Sequence, residues 1–186
     1  MMLKNIFYIF VTVLFVTSCQ ETNINKEVNY TLLLDTLLLH QNELLNEIDS
    51  VKIIYCIEKT KERLVLFDLE DLNEFQKQWL HHEKLAYKKI SYNLSNLNTQ
   101  VDSLRRDLDF SKKQISTLKE DLIHRHLSKN QFANYLIEEQ KALGKLNAVN
   151  EHLRNIFNQN TVEFDSLELK LKRMFLQLNA LKIKHE

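Results

Sequence analysis

The sequence predicts an all-α fold: an elongated helical bundle or coiled coil dominated by a long antiparallel helical hairpin. The 186-residue chain contains no proline and a single glycine, Gly144. Ordinary domains have about 5% proline and about 7% glycine, and strands joined by tight turns depend on both residues. From Tyr87 onward, apolar residues recur at alternating steps of three and four, which is the heptad pattern of coiled coils.

The N-terminal segment has the organisation of an export signal. One cation, Lys4, precedes an apolar run over residues 6–16. This run is shorter than the ~20 residues that a bilayer span needs, but its length suits the apolar region of a signal peptide. Residues 16–19 read Val-Thr-Ser-Cys, and they resemble the lipobox that ends the signal peptide of bacterial lipoproteins.

The resemblance implies that residues 1–18 are removed and that Cys19 becomes the acylated first residue and lipid anchor. Each buried CH₂ of an acyl chain contributes ~0.8 kcal/mol, so several chains would give nearly permanent attachment. Gln20 follows the cysteine where aspartate could stand, and by the enterobacterial sorting rule this implies the outer membrane. The alternatives are an uncleaved N-terminal anchor and ordinary secretion with a free Cys19 thiol.

The rest of the chain divides into a short tether and a helical body. Residues 19–29 are predicted to form the lipidated cysteine and a polar tether, and residues 30–186 a helical coiled-coil domain. Loss of Lys4 with the signal lowers Lys+Arg from 25 to 24 against 25 Asp+Glu, so the net charge becomes −1. Because this balance lacks a basic excess, we expect no nucleic-acid partner.

The first helix of the body is apolar on several sides. A heptad pattern joins Leu34, Leu37, Leu44, Ile48 and Val51. Further aliphatic residues occupy the other faces of this segment: Leu32, Leu33, Leu38, Leu39, Ile53 and Ile54. We therefore expect a largely buried helix, which either packs along the hairpin as a third helix or meets a partner.

The first arm of the hairpin is predicted to begin near residues 71–74. Its apolar seam is interrupted only at Ser111 and contains Tyr87, Ile90, Leu94, Leu97, Val101, Leu104, Leu108, Ile115, Leu118 and Leu122. Residues 128–131 read Ser-Lys-Asn-Gln, a capping box that predicts a short turn followed by a second helix. A short turn between long helices indicates antiparallel neighbours, with arms of about 50 residues and ~75 Å.

The second arm has a seam of the same rhythm: Leu143, Leu146, Asn150, Leu153, Phe157, Asn160, Phe164, Leu167, Leu171, Met174, Leu178 and Leu181. Its two asparagines either set register and partner number in a continuous helix, or residues 158–161 form a local break. Further apolar residues broaden the stripe, which suits packing against more than one helix: Leu169, Phe175, Leu176 and Ile183.

No residue pattern in the sequence indicates catalysis or a metal site. His81, His82 and Glu83 are consecutive, so a helix would point their side chains in different directions. Cys56 lies among apolar residues and is interpreted as a buried thiol or, in an oxidising compartment, as a disulfide link between two copies. Trp79 is interpreted as a core residue or as an aromatic anchor for a partner.

Four triplets combine an aspartate, a hydroxyl residue and an aliphatic residue. Their hydroxyls are candidate O-glycosylation sites: Thr36, Ser50, Ser103 and Ser166. The triplets resemble the O-glycosylation sequon of exported Bacteroidetes proteins, and the lipobox and the Asn-, Lys- and Ile-rich composition fit that phylum too. The alternative is coincidence in a chain rich in these residue types. Each aliphatic residue is predicted to lie on a core seam, which would leave the hydroxyl off that seam.

Together these patterns predict a lipid-anchored protein of a bacterial cell envelope that is not an enzyme and needs no cofactor. We expect it to act as a coiled-coil spacer, scaffold or adaptor. Its N-terminal lipid would bind the membrane, and its heptad seams would bind a protein partner or a second copy of the chain. The alternative is a helical bundle that binds a small apolar ligand in the periplasm, between helices near residues 32–39.

Overall fold

The structure is a computed structural model that describes residues 26–68 and 74–183. These residues form four α-helices: α1 (26–46), α2 (Ser50–Phe67), α3 (Glu74–Ile123) and α4 (Lys129–Ile183). No strand occurs in the described ranges, so the all-α bundle is confirmed. Of the predicted tether, residues 19–25, including Cys19, lie outside the described residues and residues 26–29 belong to α1. Also outside the described part are the predicted helix start at 71–73 and the side chains of Trp79 and of residues 177–183.

A short interruption separates α1 from α2. Asp49 caps the N-terminus of α2, because its Oδ1 accepts hydrogen bonds from the backbone N–H groups of Val51 (2.8 Å) and Lys52 (3.0 Å). The heptad predicted to run through Ile48 to Val51 is therefore wrong beyond residue 48. The Val51 side chain is 77% exposed.

Three helical segments pack together in each of two compact units. The described residues of the first unit belong to α1, the C-terminal part of α3 from Arg106, and the N-terminal part of α4 up to Asn147. The second unit begins at Leu44, so it contains the last three residues of α1 together with α2 and the remaining parts of α3 and α4. Each unit thus buries helix stripes against two neighbours, as a broad apolar stripe requires.

In the first unit, the core lies beside the α3–α4 turn. Leu118 and Leu122 of α3 pack on Phe132 of α4, and three partly buried residues cover them: Val28, Leu127 and Leu136. Farther along, Gln41 of α1 donates a hydrogen bond from Nε2 to Oδ1 of Asn147 at 2.6 Å. Helix α1 is therefore the third helix of this unit, as one of the two sequence interpretations proposed.

In the second unit, ion pairs and hydrogen bonds define the chain directions. Asn93 and Lys89 of α3 contact Asn160 and Glu163 of α4, so higher residue numbers on one helix meet lower numbers on the other. These helices are antiparallel, as the sequence predicted. Ion pairs from α2 to α4 run in the same direction along both helices, so α2 and α4 are parallel: Lys52–Asp165 and Arg63–Glu168.

The predicted seam of α3 is buried along its whole length. All eleven of its positions from Tyr87 to Leu122 are at most 5% exposed, including Ser111. The seam of α4 is buried or partly buried at every described position from Leu143 to Met174. Because the seam residues form the helix contacts, burial follows the heptad rhythm rather than the hydrophobicity of each residue.

Helix α4 passes through residues 158–161 without a break, so the loop interpretation of this stretch is wrong. Asn160 is buried on the seam. Its Nδ2 donates to the carbonyl oxygen of Ile156 at 2.7 Å, and its Oδ1 accepts from Nδ2 of Asn93 on α3 at 3.0 Å. A buried amide with these partners is satisfied, and it favours one register of α3 against α4.

The seam of α1 differs from the predicted one. The buried residues are Thr31, Leu34, Leu38, Gln41, Leu45 and Ile48. Leu37 is exposed and Leu44 only half-buried, because the buried stripe runs through the residue after each of them. The expectation of a largely buried helix is wrong, since α1 buries one stripe and exposes several leucines.

Local hydrogen bonds end α3 and begin α4 on the two sides of the turn between them. The backbone N–H groups of His126 and Arg125 donate to the carbonyl oxygens of Asp121 and Leu122, which is the Schellman pattern at the C-terminus of α3. At the start of α4, Ser128 N–H donates to Oε1 of Gln131 at 3.0 Å and Gln131 N–H donates to Oγ of Ser128 at 3.4 Å. The predicted capping box is confirmed.

Arg125 occupies the left-handed position of this turn, with φ 58°. Glycine adopts that conformation without a Cβ clash, so Arg125→Gly is expected to raise the free energy of unfolding by about 0.5–1 kcal/mol. Urea denaturation followed by circular dichroism measures the change. Arg106→Gly, at an exposed position inside α3, is the matched control and should lower stability by about 1 kcal/mol. Equal losses at both positions would contradict the assignment.

Candidate interaction surface

An exposed apolar surface covers much of α1. Five residues form it, and we call them the α1 apolar face: Tyr30, Leu32, Leu33, Leu37 and Leu39. Their exposed fractions lie between 39% and 62%. Successive helix residues are turned by ~100°, so Tyr30, Leu33 and Leu37 form one row and Leu32 and Leu39 another, on either side of Thr36.

The origin of this surface is the leucine content of α1. A bundle neighbour covers one stripe of a helix, here the one with Leu34 and Leu38. In the part of the chain that the structure describes, the leucines of the α1 apolar face lie at other angles and remain 43–62% exposed. Single exposed leucines are ordinary, but monomeric proteins rarely expose contiguous apolar patches of more than a few hundred Å². The α1 apolar face is therefore a candidate surface for protein contact in the first unit.

A groove borders this face in the first unit, with a volume of about 360 Å³. Its lining is contributed by α1 and α3: Asp35, Leu38, Leu39, Asn42, Lys112, Ser116 and Lys119. Leu38 and Leu39 supply the aliphatic part of the lining, and Lys112 and Lys119 of α3 supply two cations. This arrangement can accept an apolar group that carries an acidic substituent.

A polar cluster ties three helices together in the second unit. Arg63 of α2 donates from Nε and Nη2 to the two carboxylate oxygens of Glu168 on α4, at 2.9 and 2.7 Å. The hydroxyl of Tyr87, from the α3 seam, donates to Oε1 of the same carboxylate at 2.9 Å. A bidentate arginine pair with a third donor is a strong and directional arrangement.

The cluster shifts the protonation of its members. The Arg63 hydrogen bonds are the largest influence on Glu168 and hold the pKa of its carboxyl below the ordinary value of 4.5, against the opposing effect of burial. Hydrogen bonding to Glu168 raises the pKa of Arg63. Burial, and then the bond to Glu168, raises the pKa of Tyr87. All three groups are held in their ordinary neutral-pH forms, and the cluster links α2, α3 and α4 of the second unit.

Aromatic rings surround this cluster. The Tyr87 ring lies 5.7 Å from Phe67 and 6.3 Å from Phe164, and Tyr55 meets Phe164 edge-on at 6.1 Å. Lys52 donates from Nζ to Asp165 Oδ1 at 2.8 Å and lies 5.6 Å from the Tyr55 ring centroid. The sequence suggested none of these contacts, since their partners are more than 80 residues apart in several cases.

A groove of about 640 Å³ runs along α4 beside the polar cluster. Its apolar wall is formed by Leu169, Leu171, Phe175 and Leu176, with Arg63 and Lys172 among the charged residues at its edge. Leu169 and Leu176 are 59% and 61% exposed, so the groove is an open surface feature. Such a surface fits another helix better than a small enclosed ligand.

Cys56 faces the interior of the second unit. Its side chain is fully buried, no disulfide joins it, and burial raises the pKa of its thiol to about 11. The hydroxyl of Thr60 donates to the Cys56 carbonyl oxygen at 2.6 Å. The thiol is therefore both shielded and protonated, and thiolate chemistry requires the opposite.

The four candidate glycosylation hydroxyls lie on helices. Thr36, Ser103 and Ser166 are exposed, and Ser50 is half-buried at the first residue of α2. The expectation that each adjacent aliphatic residue lies on a core seam is wrong in part: Leu104 is buried, but Leu37 and Val51 are exposed. The Thr36 hydroxyl donates to the Leu32 carbonyl oxygen at 2.9 Å.

The consecutive residues His81, His82 and Glu83 diverge as expected for a helix. Both histidines are exposed, whereas Glu83 is buried on the α3 seam and accepts a hydrogen bond from Lys170 of α4. Extending the heptad rhythm back from Tyr87 reaches residue 83, and this signal could have revealed the pair. Within residues 26–68 and 74–183, no group of three or more His, Cys, Asp or Glu side chains is arranged to hold a metal ion.

None of the helices described combines the length and the apolar character that a bilayer crossing requires. No protein-family model, curated protein or solved structure matches this chain. Three features of the chain bear on its function: the lipobox-like N-terminus, the α1 apolar face and the groove along α4.

Proposed function

We propose that the protein is a lipid-anchored component of a bacterial cell envelope that acts through protein–protein contacts as a spacer, scaffold or adaptor. Acylated Cys19 would hold it to the membrane, with the outer membrane as the expected location. The α1 apolar face is the observation that carries the proposal. It begins at Tyr30, directly after the predicted tether of residues 19–29, and its leucines are 43–62% exposed in the described residues.

The physical argument rests on the cost of exposed apolar area. Covering it contributes roughly 25 cal/mol per Å², and a helix row such as Tyr30, Leu33 and Leu37 matches the spacing with which helices enter apolar grooves. Polar Thr36 and Asp35 interrupt the face and would set the orientation of the partner. A membrane-held chain meets an envelope partner at high effective concentration, so a modest interface suffices.

The anchor is tested by membrane fractionation of cells that express the full chain. The wild type should sediment with the membranes, and Cys19→Ala should move to the soluble fraction because it cannot be acylated. Cys56→Ala is the matched control, since it removes the other cysteine and should remain in the membrane fraction. A Cys19→Ala protein that stays in membranes and retains residues 1–18 would instead support an uncleaved anchor.

The contact surface is tested by a photo-crosslinking residue placed at single positions in living cells. Leu33 lies in the α1 apolar face, and Tyr92 on α3 is a control that is 69% exposed. We expect adducts with one dominant protein at position 33 and none at position 92. A heterologous protein would make the chain an adaptor, and adducts with the chain itself would make it a structural oligomer. Equal labelling at both positions would contradict the proposal.

A second candidate function is the binding of a small apolar ligand in the periplasm. The groove lined by Leu38, Leu39 and Lys119 supports it, because an aliphatic floor beside a cation suits an apolar molecule with an acidic group. Periplasmic extract should then raise the melting temperature of the protein, and Leu39→Lys should abolish the shift. The absence of any shift across a broad screen would count against this function.

A further inference from the structure

Three aliphatic side chains form a regular row on the outer surface of α4. Val162, Leu169 and Leu176 are exactly one heptad apart in the sequence and are 70%, 59% and 61% exposed. They belong to the second unit and lie off the buried seam of α4, so they form a second, exposed seam, in which Leu169 and Leu176 border the groove that Arg63 of α2 edges. A seven-residue repeat keeps successive side chains on one helix face, as a coiled-coil contact requires.

The charges around this row change sign at Leu169. Glu163, Asp165 and Glu168 precede it, and three cations follow it within four residues: Lys170, Lys172 and Arg173. In the sequence of α4, acidic residues therefore stand on one side of Leu169 and basic residues on the other. A surface of this kind is complementary to itself when one copy is reversed.

We propose that this α4 face binds a second copy of the chain, with the two α4 helices antiparallel and related by a two-fold axis at Leu169. This inference deepens the proposed function, on which it rests, because it names one protein partner. Leu169 then packs on its own counterpart. Val162 of each copy packs on Leu176 of the other, which gives three apolar layers.

Charge decides between the two possible directions. In the antiparallel arrangement, Asp165 of each copy lies opposite Arg173 of the other, and Ser166 lies opposite Lys172. In a parallel arrangement the same apolar layers would form, but Asp165 would face Asp165 and Arg173 would face Arg173. Like charges placed opposite each other at an interface cost several kcal/mol, so the antiparallel direction is favoured.

Some of the charges around the row already form ion pairs within the chain: Glu163 with Lys89, Glu168 with Arg63 and Lys170 with Glu83. The contact therefore depends on Asp165, Lys172 and Arg173. Lys52 occupies Oδ1 of Asp165, but that side chain is 58% exposed, and a carboxylate can accept several hydrogen bonds. Lys172 and Arg173 are exposed and form no salt bridge with any residue that the structure describes. These two cations are therefore available to the acidic residues of a second copy.

The length of the contact indicates a reversible dimer. From Val162 to Leu176 the helix rises ~21 Å at 1.5 Å per residue. Three apolar layers over that length cover less area than the ~1,600 Å² of a standard stable interface. Confinement to a membrane surface raises the effective concentration of the copies and favours the dimer there.

Cysteine cross-linking of the full chain in its membrane tests the geometry. Leu169→Cys lies on the two-fold axis and should form a disulfide-linked dimer on mild oxidation. Val162→Cys should not, because its counterpart would lie ~21 Å away and a disulfide requires Cα atoms within about 7 Å. The double variant Val162→Cys/Leu176→Cys should link again. Strong linking of Val162→Cys alone would overturn the antiparallel arrangement, and no linking at Leu169→Cys would overturn the dimer.

The wild-type chain is the blank in this experiment, because Cys56 is buried and an acylated Cys19 has no thiol. A linked wild-type dimer would count against the lipid anchor, while the peptides linked at position 169 would still report on the α4 face. Sedimentation of the full chain in detergent is the second measurement. Leu169→Lys should lower the dimer fraction at least tenfold, whereas Leu85→Lys, at an exposed leucine of α3, should leave it unchanged. Equal effects of the two substitutions would refute the proposed interface.

Discussion

Leu104→Asp is expected to lower the free energy of unfolding by about 5 kcal/mol, enough to unfold a bundle of ordinary stability. Leu104 lies in the middle of the α3 seam and is 2% exposed. The aspartate would have to bury a carboxylate among aliphatic side chains or force the helices apart. Urea unfolding followed by far-UV circular dichroism measures the loss, and a chain without a cooperative transition would be the limiting result.

Leu85→Asp is the matched control for this prediction. It makes the same substitution in the same helix and unit, but Leu85 is 51% exposed. The aspartate can remain hydrated there, so the cost should stay below about 1 kcal/mol and reflect helix propensity alone. If both variants lost the same stability, seam burial would not be the source of the stability of the bundle.

Glu168→Ala is expected to lower the free energy of unfolding by about 2–3 kcal/mol. The substitution removes the bidentate partner of Arg63 and the hydrogen-bond acceptor of the buried Tyr87 hydroxyl at once. Arg63 is partly exposed and can regain water, but the hydroxyl cannot, which accounts for much of the expected loss. Tyr87→Phe removes the hydroxyl itself, so no buried donor is left without an acceptor. It should lower the free energy of unfolding by only about 1 kcal/mol.

The same carboxylate should make stability depend on acidic pH. Its pKa in the folded state is lower than the ordinary 4.5, so its stabilising contribution is complete above that value and disappears as the pH falls through the folded pKa. Glu168→Gln should therefore be destabilised by about 1–2 kcal/mol at pH 7, and the difference from wild type should narrow below pH 4.5. Glu58→Gln, at an exposed position of α2, should follow the wild type at every pH.

The seams of α3 and α4 could be predicted from sequence because one physical rule determines them. Heptad spacing places residues on one helix face, and nothing in these arms competes with that pattern between Tyr87 and Leu122. The turn was equally predictable, since the capping hydrogen bonds of Ser128 and Gln131 are local. A single sequence is enough to predict both features, because the heptad spacing and the capping residues are local.

The faces of α1 could not be assigned in the same way. Leu37 and Leu38 are adjacent and chemically identical, so only the position of a neighbouring helix decides which is buried. Apolar residues on every side of a helix therefore leave its buried face undetermined. Asp49, which also belongs to one of the glycosylation triplets, is the N-cap of α2 and ends the heptad pattern of α1 there.

The polar cluster and the α4 face required the structure for a different reason. Arg63 and Glu168 are 105 residues apart, and no local pattern connects them. The row of Val162, Leu169 and Leu176 is visible in the sequence as a heptad, but hydropathy alone cannot show that it is exposed. Only the packed structure shows which of the two apolar stripes of α4 is buried against the neighbouring helices.

The order of the helices also has a consequence for folding kinetics. The contacts that join α1 and α2 to α4 span 105 to 113 residues of sequence, whereas α3 and α4 meet across the short turn around Arg125. Closing the longer loop costs roughly 4 kcal/mol of chain entropy before any contact forms. The α3–α4 hairpin should therefore form early, and α2 can dock on α3 through the nearby pair of Phe67 and Tyr87. Helix α1, whose Gln41 reaches Asn147 across 106 residues, should be the last to dock. On the proposed route of export, the leucines of α1 would remain uncovered for that interval, which makes α1 the segment most in need of chaperone protection.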